Sequence, residues 1–207
     1  MVGLSLNNGR SEDPGEMLED RGNELVRRVK RGDLSAFDKL VALYQQRLYY
    51  TVIRIVLHHE DANDVVQDTF IKAFRNLDTF KEEYRFYTWL YRIAVNTALN
   101  HIHHRRYKED SLEGMYEEKR FDPKTKQDVE EETVQSEMLL RVRKALASIP
   151  PDMRSVLTLR VYDDLSYQEI ADILEISIGT VMSRLHRARN LLREQMVKSG
   201  WFEDNNK

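Results

Sequence analysis

The stretch SYQEIADILEISIGTVMSRLHRARNLLRE, Ser166–Glu194, decides the fold of this chain. Ser166 followed by Glu169 is a capping box, in which the hydroxyl takes a free amide of the first turn and the carboxylate returns to the Ser amide. It precedes an apolar helix face of Ile170, Ala171, Ile173 and Leu174. After Glu175-Ile176, Ser177 is placed to cap a second helix that begins at Ile178. Ala171 is small where two crossing helices approach closely, and Ile176, Val181 and Leu185 close a small core. Glu175 fills the turn position that Gly often takes. Two short helices around a tight turn make a helix-turn-helix unit, whose second helix typically lies in the major groove of DNA. Its exposed face carries Thr180, Ser183, Arg184, His186 and Arg187. Arginine reads guanine with two hydrogen bonds, and Ser, Thr and the helix start hold phosphates. The competing reading is an amphipathic helix whose basic face is merely solvated, and it leaves the joint occurrence of cap, Ala, turn and basic face unexplained.

Upstream, the chain continues in helical periods. Of its 207 residues only eight are Gly and four Pro, and Val/Ile/Thr alternation between turns is scarce. The fold class expected is all-α, two small helical domains joined by a flexible acidic linker. Ser35 and Asp38, after the Gly32-Asp33 break, give a capping pattern. Phe37, Leu40, Val41, Tyr44, Leu48, Val52 and Ile55 then form a core-facing stripe. A second helix is expected over Asp61–Leu77, with Ala62, Val65, Val66, Thr69, Phe70 and Ala73 inward. A third is expected over Thr88–His104. Residues 133–198 form the smaller unit, broken at Pro150-Pro151, where Asp152 is placed to cap the next helix.

The third helix lies in FYTWLYRIAVNTALNHIHHRR, Phe86–Arg106, a window with no Asp or Glu from Arg85 to Lys108 although charged residues make up 32% of the chain. Leu90, Ile93, Ala94 and Thr97 share one face. Trp89, Arg92, Asn96 and Asn100 share another, aromatic at its start, amide in its middle and basic at its end. Aromatic rings stack on unpaired bases, amides reach base edges, and Arg105, Arg106 and Lys108 can hold a backbone. Tyr91 reads as core. On the second helix Asp61, Asp64 and Asp68 form one acidic stripe with Gln67 alongside. Acid near a helix start supports the helix itself, which suffices for Asp61. Asp68 lies too far in for that, so the stripe suggests a basic protein partner.

The formal net charge of −3 hides this pattern. Between Lys108 and Glu137 eleven acids face five bases, whereas from Val181 to Lys198 five bases face one acid. Residues 108–132 therefore read as a linker, residues 1–22 as a disordered extension and 199–207 as a tail. Cysteine is absent, which removes any disulfide framework or thiolate metal site. No signal-peptide core or bilayer-length apolar run is visible, so a cytoplasmic protein without membrane insertion is expected. His101, His103 and His104, with His58 and His59, do not place two imidazoles on one face beside a fixed carboxylate, so no metal or other cofactor is expected.

Taken together, AFDKLVALYQQRLY, EDANDVVQDTFIKAFRNLDTF, FYTWLYRIAVNTALN and the Ser166–Glu194 unit resemble, in order and spacing, a bacterial extracytoplasmic-function RNA polymerase sigma factor. The resemblance runs from about Glu24 to Lys198 and implies a non-enzymatic transcription initiation factor. Residues 23–107 would be sigma region 2, and residues 133–198 region 4. It implies that Asp61, Asp64, Gln67, Asp68 and Phe70 dock on the clamp helices of the largest polymerase subunit, with a further contact to the flap. It implies that Tyr84, Arg85, Phe86, Trp89, Arg92, Asn96, Asn100, Arg105 and Arg106 melt and read the −10 element, and that the helix-turn-helix reads the −35 element. Met182 stands where many relatives carry Lys or Arg. By the same resemblance an anti-sigma protein, in a stress response, is the expected regulator. The alternative is a helix-turn-helix regulator acting as a dimer, which leaves the acid-free window and the acidic stripe without a role.

Overall fold

The computed structural model describes residues 14–112 and 134–200, and among these every regular element is helical. The helices are α1 (Pro14–Lys30), α2 (Ser35–Val56), α3 (His59–Arg75), α4 (Phe86–Leu112), α5 (Val134–Ala147), α6 (Pro151–Val161), α7 (Tyr167–Leu174) and α8 (Ile178–Lys198), with one 3-10 turn at Leu77–Thr79. The first four pack around α2, whose stripe of Leu40, Tyr44, Leu48, Val52 and Ile55 is fully buried. Phe37 and Val41, expected in the same stripe, are only partly covered and face a groove instead.

Several boundaries differ from the sequence expectation. Helix α1 begins at Pro14, so residues 14–22, expected to be disordered, are helical. Gly22 sits there against the Tyr44 ring, and a Cβ at this position would collide with the Tyr44 hydroxyl. The close approach of α1 to α2 therefore requires glycine. Helix α4 runs to Leu112, extending the third helix five residues into the expected linker. Residues 1–13, residues 113–132 of the expected linker, residue 133 and the tail from 201 lie outside the described residues. Helix α3 starts at His59, and the stretch to Leu77 ends in the 3-10 turn. Ser35 is not a cap: Leu34 takes that place and the Ser35 hydroxyl donates to Asp33 at 2.6 Å. Asp152 does not cap either, because Pro150 is the cap residue and Pro151 opens the helix, leaving Asp152 in the first turn where its charge suits the dipole.

Helices α5–α8 form the second unit, with α6 and α7 against α8. The capping box is formed: the Ser166 amide donates to the Glu169 carboxylate at 2.9 Å and the Glu169 amide to the Ser166 hydroxyl at 3.2 Å. Ser177 caps α8, accepting from the Thr180 amide at 3.1 Å. Glu175 turns the chain in the left-handed region, φ 53°, so the motif's geometry is kept without its usual glycine.

The two units pack on each other. Helix α6 lies on α2, and α7 on α4. Arg154, 5% exposed, donates to the Ile55 carbonyl across the junction at 2.9 Å and to those of Leu146 and Ile149 at 3.0 and 3.2 Å. Arg143 reaches the Leu57 carbonyl, freed where α2 ends in a left-handed residue. Asp163 enters between the units, accepting from the Thr51 hydroxyl at 2.9 Å and the Tyr91 hydroxyl at 3.4 Å.

Candidate nucleic-acid interface

On α8 the buried residues Val181, Leu185 and Ala188 fix the opposite side toward solvent. Ser183, His186 and Arg187 are exposed there, as the sequence pattern requires. Thr180 is half-buried and accepts from the Ser183 hydroxyl at 3.0 Å. His186 pairs with Asn190 at 3.1 Å. Arg184 departs from expectation: it turns toward α6, 3.8 Å from Asp152, at the edge of the outward face.

Helix α4 separates its candidates more sharply. Phe86 is 1% exposed, wedged between Tyr44 and Phe80, so it supports the fold and cannot stack on a base. Tyr91 is fully buried. Trp89 is half-buried, one side held by Phe80 and Phe86 at ring separations of 5.5 and 5.7 Å. Its remaining surface opens into a recess of about 340 Å³ lined by Lys72, Asn76, Thr79, Asn96 and Asn100. The recess contains no carboxylate. Lys72, Asn76 and Thr79 were not found by sequence reasoning, because they belong to α3 and the following turn; Lys72, one of two cations in the last turn of a helix that begins acidic, is the local signal. Tyr84 is exposed on the loop before α4. For Arg106 the structure describes the helical backbone only.

The acidic stripe of α3 is likewise divided. Asp61 is taken up by α4: Arg105 binds it at 2.8 Å and the His101 ring lies 3.2 Å away. It therefore ties α3 to α4 and is not free for a partner, and Arg105 is engaged in the same contact. Asp64, Gln67 and Asp68 remain exposed. Beside them α2 and α3 frame an apolar groove of about 780 Å³ whose floor includes Phe70 and Phe37 and whose rim carries the exposed Leu34, Ile71 and Phe74. Ile71 and Phe74 break the amphipathic pattern of α3, and that break was the missed signal.

Comparison with known proteins accounts for this pairing of surfaces. Residues 40–107 match the sigma-70 region 2 family and residues 139–192 the sigma-70 region 4 family. The chain is 38% identical over 181 residues to the RNA polymerase sigma-H factor of Pseudomonas aeruginosa, covering 85% of this chain and 94% of that protein. It is 42% identical over 183 residues to the ECF RNA polymerase sigma-E factor of Escherichia coli K12, covering 86% and 94%. The chain belongs to the ECF sigma factors. Its fold also matches the sigma factor RpoE of Bartonella quintana, solved in complex with the anti-sigma factor NepR, with TM-score 0.62 and 27% identity over 79% of this chain and 98% of that one.

In this sigma factor the second unit covers part of the candidate face of α4. Helix α7, the first helix of the region 4 motif, lies on the upper part of the α4 face. Arg85 binds Glu169 at 3.3 Å; Arg92 donates to the Asp172 carbonyl at 2.8 Å and pairs with Glu175 at 3.2 Å. The Arg92 Nε beneath this cover is buried with no partner among the described residues. Burial pushes the Asp163 carboxyl up to about 6, although the Thr51 hydroxyl and Arg54 act against it. Burial first, then the Asp163 charge, likewise drives the Tyr91 phenol upward.

Proposed function

We propose that this sigma factor binds core RNA polymerase through the α2/α3 groove and directs it to promoters by reading −35 duplex with α8 and −10 single strand with α4. The recess at Trp89 carries this reading. An indole edge, three amides and a lysine without any carboxylate suit an extruded base whose phosphates must not meet an anion. Asn96 and Asn100 would meet base edges, and Lys72 would hold the strand. Tyr84, Arg85 and Arg92 would join once α7 moves away. Gln67 and Phe70 in the groove, with Asp38 at its lining and Asp64 and Asp68 exposed on the same helix as Gln67, would receive a partner that is apolar at its centre and carries basic groups around it, as polymerase clamp helices would have to. Thr180, Ser183, His186 and Arg187 would serve the −35 element.

The factor contributes binding energy rather than bond chemistry: contacts to polymerase and to two DNA elements offset the few kcal/mol needed to unstack each flipped base. An anti-sigma protein is the expected regulator, in keeping with the complex in which the structural relative was solved. Among the described residues no helix is long and apolar enough to cross a membrane. A dimeric helix-turn-helix regulator is not favoured, because it leaves both the recess and the groove without a role.

The test is to mix the protein with bacterial core polymerase, isolate the complex and sequence the transcripts it starts from genomic DNA. A stoichiometric complex whose start sites share two short upstream elements is expected. No complex, with duplex DNA bound by a protein dimer instead, would replace this reading with the regulator.

A further inference from the structure

The start of α8 presents an apolar strip where a recognition helix normally meets base edges. Ile178 is 41% exposed and Met182 54%, one helical turn apart and therefore adjacent. Neither contributes to the buried face of Val181, Leu185 and Ala188. Gly179 lies beside them. A Cβ there would meet only the Ser177 hydroxyl at 3.8 Å, so packing within the protein does not demand glycine. Glycine weakens a helix, and at this position what it provides is a shallow floor next to the Met182 side chain. Single exposed apolar residues need no explanation, but an adjacent pair around a bare backbone on a DNA-facing surface does.

The chemistry of the strip narrows what it fits. A thioether donates no hydrogen bond and accepts only weakly, so Met182 can hold neither a phosphate nor the polar edge of guanine or adenine. In the major groove the one apolar group on a natural base edge is the C5-methyl of thymine. Ser183 and Arg187 stand next to the strip to bond the polar atoms of neighbouring bases or the backbone.

We infer that Met182, with Ile178 and the bare Gly179 beside it, is a specificity determinant that selects a thymine in the −35 element by its methyl group. This rests on the assignment of α8 to the −35 duplex.

Deoxyuridine, which differs from thymidine only by that methyl, supplies the test. Holoenzyme made with bacterial core polymerase is bound to a promoter taken from its own start sites, with each −35 thymine replaced in turn by deoxyuridine. One or two positions lose about fourfold in affinity, the worth of one buried methyl at about 0.8 kcal/mol. Met182→Ala holoenzyme binds the thymine promoter about that much more weakly and no longer distinguishes uracil, whereas Met182→Leu retains the discrimination. Equal binding of every uracil-substituted promoter by the unaltered protein would overturn the inference, as would −35 elements without thymine or a discrimination that survives Met182→Ala. A holoenzyme that holds no unmodified promoter would instead remove the −35 assignment, and this inference with it.

Discussion

The two proposed nucleic-acid faces of this sigma factor are built alike and treated differently by the fold. Each is the outward side of a long helix whose opposite side is core, and each carries aromatic, amide or hydroxyl groups with arginines. The α8 face is open along its outward side. The α4 face is open at the Trp89 recess and along its lower end at His103 and His104, but α7 lies over its upper end and satisfies Arg85 and Arg92 from Glu169, the Asp172 carbonyl and Glu175. Under the proposed assignment, duplex reading and strand reading are not equally accessible in one and the same conformation: α8 would meet DNA as it stands, whereas Arg85 and Arg92 would reach a strand only after the two units separate. The cover is incomplete, since the Arg92 Nε is buried beneath it without a partner among the described residues, which makes the closed state easier to leave.

The largest expected effect comes from the residue that holds the units together. Arg154→Ala strips three carbonyls of their donor and leaves a cavity at the α2/α6 junction. Urea unfolding at neutral pH should show a loss of about 3 kcal/mol. A loss below about 0.5 kcal/mol would mean that the junction contributes nothing to the fold and that the comparison rests on packing alone. Trp89→Ala comes next and sharpens the contrast between faces. Removing one stacking surface costs about 2 kcal/mol, roughly thirtyfold, in strand separation read by permanganate reactivity of promoter thymines. Closed-complex binding through α8 should hardly change, and an equal loss at both steps would deny the recess its role.

The helix-turn-helix was legible almost to the residue, because capping box, second cap and core spacing are local and repeat the chemistry of the backbone ends. The stripe of α2 was legible from its spacing from Leu40 to Ile55, but not at Phe37 and Val41, which face the groove. The site was legible by face but not by partner. The resemblance put Phe86 and Trp89 in one site, but only packing shows that Tyr44 and Phe80 bury the first and leave an edge of the second. Asp61 and Arg105 carry opposite signs 44 positions apart, and nothing local says that they neutralise each other. The same holds for Lys72 beneath Trp89 and for Glu175 opposite Arg92, which meet only through tertiary contacts.

Asp163 links the comparison to pH. It faces the Thr51 hydroxyl with Arg47 and Arg54 on α2 and the Tyr91 phenol on α4, and burial holds it near 6, above the ordinary 3.8. A carboxyl raised on closing favours the closed form at low pH. That contribution is complete below about pH 4 and is lost as pH rises through about 6. The chain has no cysteine, so a dye pair can be placed on cysteines introduced at exposed Asp78 and Arg189. The separated population should grow between pH 5 and 7. Asp163→Asn, whose amide oxygen still accepts from Thr51 and Tyr91, should flatten the profile; an unchanged profile would place the titration elsewhere.

The smallest effect, and the finest probe of the cover, is Glu175→Gly. Glu175 holds φ at 53°, a conformation that costs a residue with a Cβ about 1 kcal/mol and glycine little. The ion pair it forms with Arg92 is exposed on both sides and lies in the class worth about 0–1 kcal/mol. Relief of the turn and loss of the pair oppose each other, so the thermal midpoint should stay within about 2 °C of the unaltered protein. The two effects act on different things, however. The turn belongs to the helix-turn-helix alone, while the pair belongs to the contact between α7 and α4. Glu175→Gly should therefore leave α8 binding to duplex intact while shifting the dye pair toward separation, because Arg92 keeps the Asp172 carbonyl but loses its countercharge. Glu175→Gln, which keeps the Cβ and removes only the charge, separates the two: if it opens the molecule as much as Glu175→Gly does, the charge holds the cover, and if it does not, the turn conformation does.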